Sequence, residues 1–428
     1  MLKLALVTNQ EDLLQKFFDF FKKNIFRIEK LTAQKINITY ILNSSVDNKI
    51  ISSIKEKFEN VEFIGDYNKI ILDSEVDIIL ELSRNQETLA YLLQALKNKK
   101  VVITSNLKVI TENYSDIKKI EKKYQSKLFF SAAFSPLPLK TMIDNFYALD
   151  ELKELNAVLN ATTNYILAEM EKKTISMKET LEQAKELSYT EENTDLDLNG
   201  VDSLNKIILL ANLFYNTALD PAIVNARGIK GITSYDLIYA AELGYKIKLI
   251  CTIKKENGEL YLGVRPNLIP QNSFLASINE NSNGVEFLSN YNAKTTFTAE
   301  NSDQASVNLL SLDIINAAKF IKNEKWTDFS FEINNINMSD YYQKKFSSFY
   351  VRLQIEKNEQ IIDKIKKIFS EKNLADLILH DNLTETPLLP VIILTKKIRE
   401  NDLEKLLEEV ENLEGVLTVN NIIAVKED

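Results

Sequence analysis

The densest run of reactive side chains is SYTEENTDLDLNGVDSLNK, residues 188 to 206. It sets Glu191, Glu192, Asp195, Asp197, Asp202 and Lys206 ahead of an apolar helical stretch. Asp202 and Lys206 are four apart, which places them on one helix face. Grouped carboxylates can bind a substrate ammonium, and a lysine beside them can have its pKa tuned for proton transfer. The same residues also suit a structural role. Acidic side chains at a helix N-terminus complement its dipole, and Asp202 with Lys206 makes an i,i+4 ion pair. Other chemistries fail by count. One histidine, His380, and one cysteine, Cys251, cannot build a Cys/His metal cluster. A Ser-His-Asp triad would depend on His380 in ILHDN, which reads as a surface loop histidine.

The elements that must position these residues follow from the apolar pattern over 428 residues, a length for two to four domains. Strand-like runs LKLALVT, INITYIL (37–43), VDIILEL (76–82), KVVITS (100–105) and KLFFSA (127–132) alternate with amphipathic segments such as ETLAYLLQALKNKK. That alternation predicts βαβ units and a parallel sheet. From about residue 150 the character changes. LKELNAVLNATTNYIL reads as a strand entering a helix, and 177–189 and 201–216 read as long helices. KIKLICTIKKENGELYLGVRPNLI reads as a hairpin turning at ENGE, in an α+β, mostly antiparallel arrangement. A polar stretch, 323–346, reads as a linker. After it, strand, helix, two strands, helix and strand give βαββαβ in about eighty residues, a ferredoxin-like small domain.

Bulk properties narrow the partners. Apolar content is 45% and charged content 26%, with a net charge of −9. With no basic stripe carrying interleaved aromatics, a nucleic-acid partner is not expected. No uncharged apolar run is long enough to span a bilayer. MLKLALVTNQED turns acidic too soon for a signal peptide, and a lone cysteine fits a reducing compartment, so a cytoplasmic location is expected. Glycine is scarce: nine residues, where average usage would give about thirty, and the first is Gly65.

Several of these segments together resemble the homoserine dehydrogenase family. DLDLNGVDSLNK preceded by YTE resembles its substrate motif. VLNATTNYIL is similar to its NGTTNYIL-type segment, and GITSYDLIYAAELGYKIKLI (231–250) to another core segment. LELSRNQETLAYLLQALKNKKVVITSN resembles the stretch that ends in T-A-N-K in the family, and the βαββαβ tail resembles the ACT regulatory domain of its longer members. The resemblance runs nearly end to end. It implies a Rossmann-like domain over 1–132, to which the helix at 311–323 returns. It further implies an α+β substrate and dimerisation domain over 133–322, the linker, and an ACT-like domain over 347–428.

The implied reaction is the NAD- or NADP-dependent interconversion of L-homoserine and L-aspartate 4-semialdehyde in threonine and methionine biosynthesis, by a homodimer or homotetramer. By resemblance Lys206 is the proton donor and Asp202 its carboxylate partner. Glu191 and Asp197 bind the amino group and hydroxyl region of homoserine. Thr162, Thr163, Asn164 and Tyr165 line the same cleft. For a nicotinamide nucleotide the candidate contacts are Thr8 and Asn9 after the first strand and Thr104 and Asn106 in ITSN.

The cofactor-facing turns depart from the family pattern. Where the family has G-x-G-x-V-G, this chain has TNQEDL, Thr8 to Leu13. Those glycines permit a tight turn and close approach of the diphosphate, and Glu11 and Asp12 put negative charge where it should sit. The glycine pair after the VDIILE-like strand is Ser83-Arg84, and the lysine of T-A-N-K is Leu107. Ser131 replaces a glutamate that helps hold a monovalent cation, the NGTTN glycine is Ala161, and the G-x-G-A-G loop is TAENSDQAS. The alternative reading that follows is a catalytically degenerate homologue, binding an amino acid as a regulator or partner subunit. The tail's first turn, EKNEQ (356–360), also lacks the glycine that ACT ligand sites use.

Overall fold

The computed structural model describes residues 1–42, 48–58, 60–186, 194–224, 226–322, 333–339, 343, 345–379 and 388–426. The chain divides into two compact units. The first comprises Met1–Glu151, Asn205–Ile223 and Ala299–Asn335, and the second Leu152–Leu204, Val224–Thr298 and Ile336–Asp428.

The first unit is built on six parallel strands: β1 (Leu2–Val7), β2 (Ile36–Leu42), β3 (Glu62–Ile64), β4 (Ile78–Glu81), β5 (Val101–Thr104) and β6 (Lys127–Phe129). Their order is β3-β2-β1-β4-β5-β6. This is the doubly wound, Rossmann-like order, in which the strand order reverses between β1 and β4. Continuous apolar runs explain the strands, because helices cover both faces of a parallel sheet. Helix Glu11–Thr32 places Leu14, Phe17, Phe18 and Phe21 on its buried stripe, and Phe17 stacks on Phe21 at 5.3 Å. Each such buried side chain contributes about 1.5–3 kcal/mol. The same core takes Val307, Leu310 and Ile314 from helix Asp303–Lys322, the late helix expected to return here.

The second unit carries a ten-stranded mixed sheet. Its strands are β7 (Leu152–Val158), β8 (Tyr245–Glu256), β9 (Glu259–Pro270), β10 (Ser282–Ser289), β11 (Lys294–Glu300), β12 (Asn337–Met338), β14 (Phe349–Glu356), β15 (Leu374–Leu379), β16 (Leu388–Thr395) and β18 (Val416–Val425); β13 (Phe346–Ser347) and β17 (Ile398–Arg399) pair separately. The order is β11-β10-β7-β8-β9-β18-β14-β16-β15, with β12 beside β9. The β8–β9 hairpin turns at Asn257-Gly258, both at positive φ, as ENGE predicts. The tail follows the expected βαββαβ pattern, with helices Glu359–Asn373 and Glu400–Glu411. It is not a separate sheet: β18 pairs in parallel with β9 through Ala424–Asn267 and Val425–Leu268.

One local expectation changes. The TAENSDQAS loop is largely strand and helix, because β11 runs to Glu300 and the helix starts at Asp303. KTTFTAE alternates exposed and half-buried positions, the period-2 pattern of a strand.

Candidate functional site

In the second unit, β7 delivers Asn160 to the N-terminus of helix Ala161–Lys173. There its Oδ1 accepts the Thr163 amide at 2.8 Å. The rest of the side chain reaches the acidic segment. Asn160 Nδ2 donates to Asp197 Oδ1 at 2.6 Å and to Asp202 Oδ2 at 3.0 Å. One buried amide, 6% exposed, thus ties together two carboxylates that would otherwise repel each other. Asp197 lies in the short helix Asp195–Leu198, and Asp202 in the first turn of helix Val201–Tyr215. Gly200, at φ +77, joins them, and a Cβ there would stand 3.1 Å from Val264 Cγ1. The Asn-Gly of DLDLNGVD is therefore the turn that brings Asp197 and Asp202 to one place.

Lys206 lies on the same helix, four residues beyond Asp202. Glu191 and His380 lie outside the described residues. The TTNY residues divide. Thr163 and Asn164 are buried and used within the fold: Thr163 Oγ1 donates to Asn160 O, and Asn164 Oδ1 accepts from Lys248 Nζ at 2.6 Å. Thr162 and Tyr165 are half-buried. Lys248 also donates to Ile278 O at 3.1 Å. Burial, with the neighbouring charge of Lys246, pushes the Lys248 ammonium down to about 8. The sequence pattern does not mark Asn160 as a site residue. Its one signal is an asparagine directly before a helix, which reads as an ordinary cap.

In the first unit, Thr8, Asn9, Thr104 and Asn106 gather at the C-terminal ends of β1 and β5, with Ser83 after β4. Thr8 Oγ1 accepts the Gln10 amide at 3.0 Å, and Thr104 Oγ1 accepts the Asn106 amide at 3.2 Å. Asn106 caps the helix that follows through Val109 N and donates to Ser83 O at 3.3 Å. This is the crevice where doubly wound sheets bind ligands. Here side chains bridge it. Gln10 Nε2 donates to Leu82 O at 2.8 Å, and Asn9 Oδ1 accepts the Arg84 amide at 3.1 Å. Glu11 and Asp12 occupy the first turn of helix Glu11–Thr32. Below the crevice Glu81 is fully buried, and burial pushes its carboxyl up to about 8 against the hydrogen bonds from Ser83. Bridged side chains and two acids at the helix N-terminus do not fit the diphosphate of a dinucleotide in its usual place. Ser131 donates from its amide and hydroxyl to Asp313, at 2.7 and 2.6 Å.

A doubly wound sheet in one unit, and paired carboxylates at a helix start in the other, define a two-unit α/β protein of the kind that binds small polar ligands. Comparison with known proteins makes this specific. A family model described as homoserine dehydrogenase matches residues 138–307, and one described as homoserine dehydrogenase, NAD binding domain, matches 23–131, beginning after the β1 turn. The homoserine dehydrogenase of Bacillus subtilis (strain 168) is 26% identical over 372 residues, covering 83% of this chain and 84% of that one. That of Methanocaldococcus jannaschii is 29% identical over 267 residues, 60% of this chain and 78% of its own. The crystal structure of a homoserine dehydrogenase from Thiobacillus denitrificans matches the fold with a TM-score of 0.86 at 19% identity, covering 100% of this chain and 98% of that one. The S. aureus homoserine dehydrogenase structure at pH 6.0 gives 0.74 at 24% identity, covering 100% and 99%. The chain belongs to the homoserine dehydrogenase family.

Proposed function

We propose that this protein is a homoserine dehydrogenase, acting on L-homoserine and L-aspartate 4-semialdehyde. The observation that carries the reading is the Asn160 amide holding Asp197 and Asp202 together. Two half-buried carboxylates fixed side by side can take an ammonium and a hydroxyl, two of the three polar groups of homoserine; its own carboxylate must lie away from them. In this reading Asp197, with Glu191, takes the amino group, and Asp202 orients the hydroxyl. Lys206, one helical turn on, accepts the hydroxyl proton in oxidation and returns it in reduction, and its positive charge stabilises the oxygen as negative charge builds there. Thr162 and Tyr165 contribute to the wall of the cleft, and Thr163 and Asn164 hold that wall in place.

NAD or NADP would be held through Thr8, Asn9, Thr104 and Asn106, in a manner other than the glycine turn. The βαββαβ tail is an ACT-like domain in this reading, with domain boundaries near 132, 322 and 347. The assembly is a homodimer or homotetramer in the cytoplasm, supported by the two sheet-edge strands, β11 and β15. The test is homoserine-dependent reduction of NAD or NADP by purified protein, with loss of turnover in Lys206→Ala.

One observation favours a second reading, in which an amino acid binds without turnover and the protein acts as a regulator or partner subunit. It is the bridging of the β1–β4 crevice by Asn9 and Gln10, with Glu11 and Asp12 beside it. In that case neither nucleotide binds in a fluorescence titration, while homoserine still raises the melting temperature.

A further inference from the structure

The turn that carries Asp197 is packed against a short segment, Arg227–Gly231, whose two ends are held by the tail. At its middle the segment belongs to the turn. Ile229 donates from its amide to Leu198 O at 2.8 Å, and Lys230 pairs with Asp195 at 2.7 Å. Gly228 lies so close that a Cβ would stand 1.9 Å from Leu198 O and 2.5 Å from Asn199 Cα. At its ends the segment belongs to the tail. Arg227 Nη1 donates to Glu400 Oε1 at 2.9 Å, and Asn421 Nδ2 donates to Gly231 O at 2.7 Å. Glu400 is 5% exposed, and its other oxygen accepts from Arg265 Nη1 on β9 at 2.8 Å. The Arg227 amide donates to Val264 O at 2.8 Å, so the segment is also fixed to β9.

From these contacts we infer that Glu400 and Asn421 are positioning residues for the substrate carboxylate Asp197, acting through the Arg227–Gly231 segment. The physical reason is the absence of slack. Gly228 is in backbone contact with the turn, so a shift of the segment cannot be absorbed between them and moves Leu198 and Asn199. Asp197 is their neighbour, and Gly200, which donates to Asp197 O at 2.9 Å, packs on Ala226 and Val264 from the other side. A buried carboxylate shared by two arginines is a stiff fastening, because removing its charge leaves both guanidiniums without their shared counterion. The inference deepens the homoserine reading and rests on it for the name of the ligand, but not for the mechanical link.

The experiment compares Glu400→Gln and Asn421→Ala with Leu377→Ala in the full chain. Leu377 packs on the tail core from the outer strand β15 and belongs to neither the segment nor its fastenings. Hydrogen–deuterium exchange is read in peptides covering 194–204, and homoserine affinity by calorimetry. The expected result is exchange in 194–204 faster by about tenfold in Glu400→Gln, and homoserine binding weaker by about fivefold or more. Leu377→Ala, destabilised to a similar melting temperature, leaves both unchanged. Should Glu400→Gln fail to fold, Asn421→Ala makes the same comparison. Unchanged exchange in 194–204, with the effect confined to 388–426, overturns the inference, as does an equal effect from Leu377→Ala. Homoserine that fails to bind the unaltered protein counts against the substrate assignment alone, since the exchange result still decides the link.

Discussion

Replacing Asn160 by alanine removes three interactions at once. The helix N-cap is worth about 1 kcal/mol. Each hydrogen bond to a carboxylate is worth about 1.5–3 kcal/mol, and the low end applies because Asp197 and Asp202 are half-buried and can recover water. The sum is about 4 kcal/mol, which for a unit of this size lowers the melting temperature by roughly 10 °C. Asn160→Asp separates the contributions. It keeps a good cap but sets a third carboxylate against two others. The added acid has a raised pKa in the folded state, so Asn160→Asp is near wild type at pH 4 and loses stability as pH rises through that pKa. Differential scanning calorimetry at pH 4, 6 and 8 reads both variants. An Asn160→Ala protein within about 0.5 kcal/mol of wild type, the ordinary range of a surface substitution, would refute the bridging account. So would an Asn160→Asp protein whose deficit does not grow with pH.

Two further outcomes follow from buried acids. Glu81 has a folded-state pKa of about 8 against an ordinary 4.5. It is therefore neutral in the fold at acid pH, and its penalty appears as pH climbs from 4.5 toward 8. Glu81→Gln should raise the unfolding free energy at pH 8.5 by an amount of the order of a few kcal/mol, seen as a higher melting temperature, with little change at pH 4.5; equal shifts at both pH values would contradict this. Asp236, fully buried, accepts from Tyr350 Oη, Arg352 Nε, Asn421 Nδ2, and the amide and hydroxyl of Thr233. Asp236→Ala strands Arg352 and should cost about 3–5 kcal/mol in urea unfolding of the second unit; a cost under about 1 kcal/mol, the scale of a single ordinary hydrogen bond, would show that the cluster is not a fastening of the tail.

Much of the architecture is legible in the sequence because it rests on local pattern. Apolar runs mark five of the six parallel strands, ENGE marks the hairpin, and Phe17, Phe18 and Phe21 mark a buried helix face; the edge strand β3, Glu62–Ile64, is too short to leave such a run. The tail's βαββαβ order is equally a matter of period. What is not legible is long-range pairing between residues with good local explanations. Asn160 reads as a cap, and its partners Asp197 and Asp202 stand 37 and 42 residues away. Glu400 reads as a first-turn acid favoured by the helix dipole, yet it is buried between Arg227 and Arg265, 173 and 135 residues earlier. The joining of β18 to β9 rests on two residue pairs, too few to leave a periodic trace. Thr163 and Asn164 illustrate the opposite limit. A family segment marks where a cleft is built, but not which of its side chains face it and which are spent on the helix start and on Lys248.

The glycine-free β1 turn and the carboxylate pair point to different halves of the chemistry, and the substrate half is tested by one titration. L-homoserine is added to wild-type protein and to Asp202→Asn and Asp197→Asn in a calorimeter at pH 7. Saturable binding to wild type, weakened tenfold or more by either substitution as the loss of a charged partner requires, is the result the account predicts. No heat of binding to wild type, or binding that both substitutions leave unchanged, would contradict it.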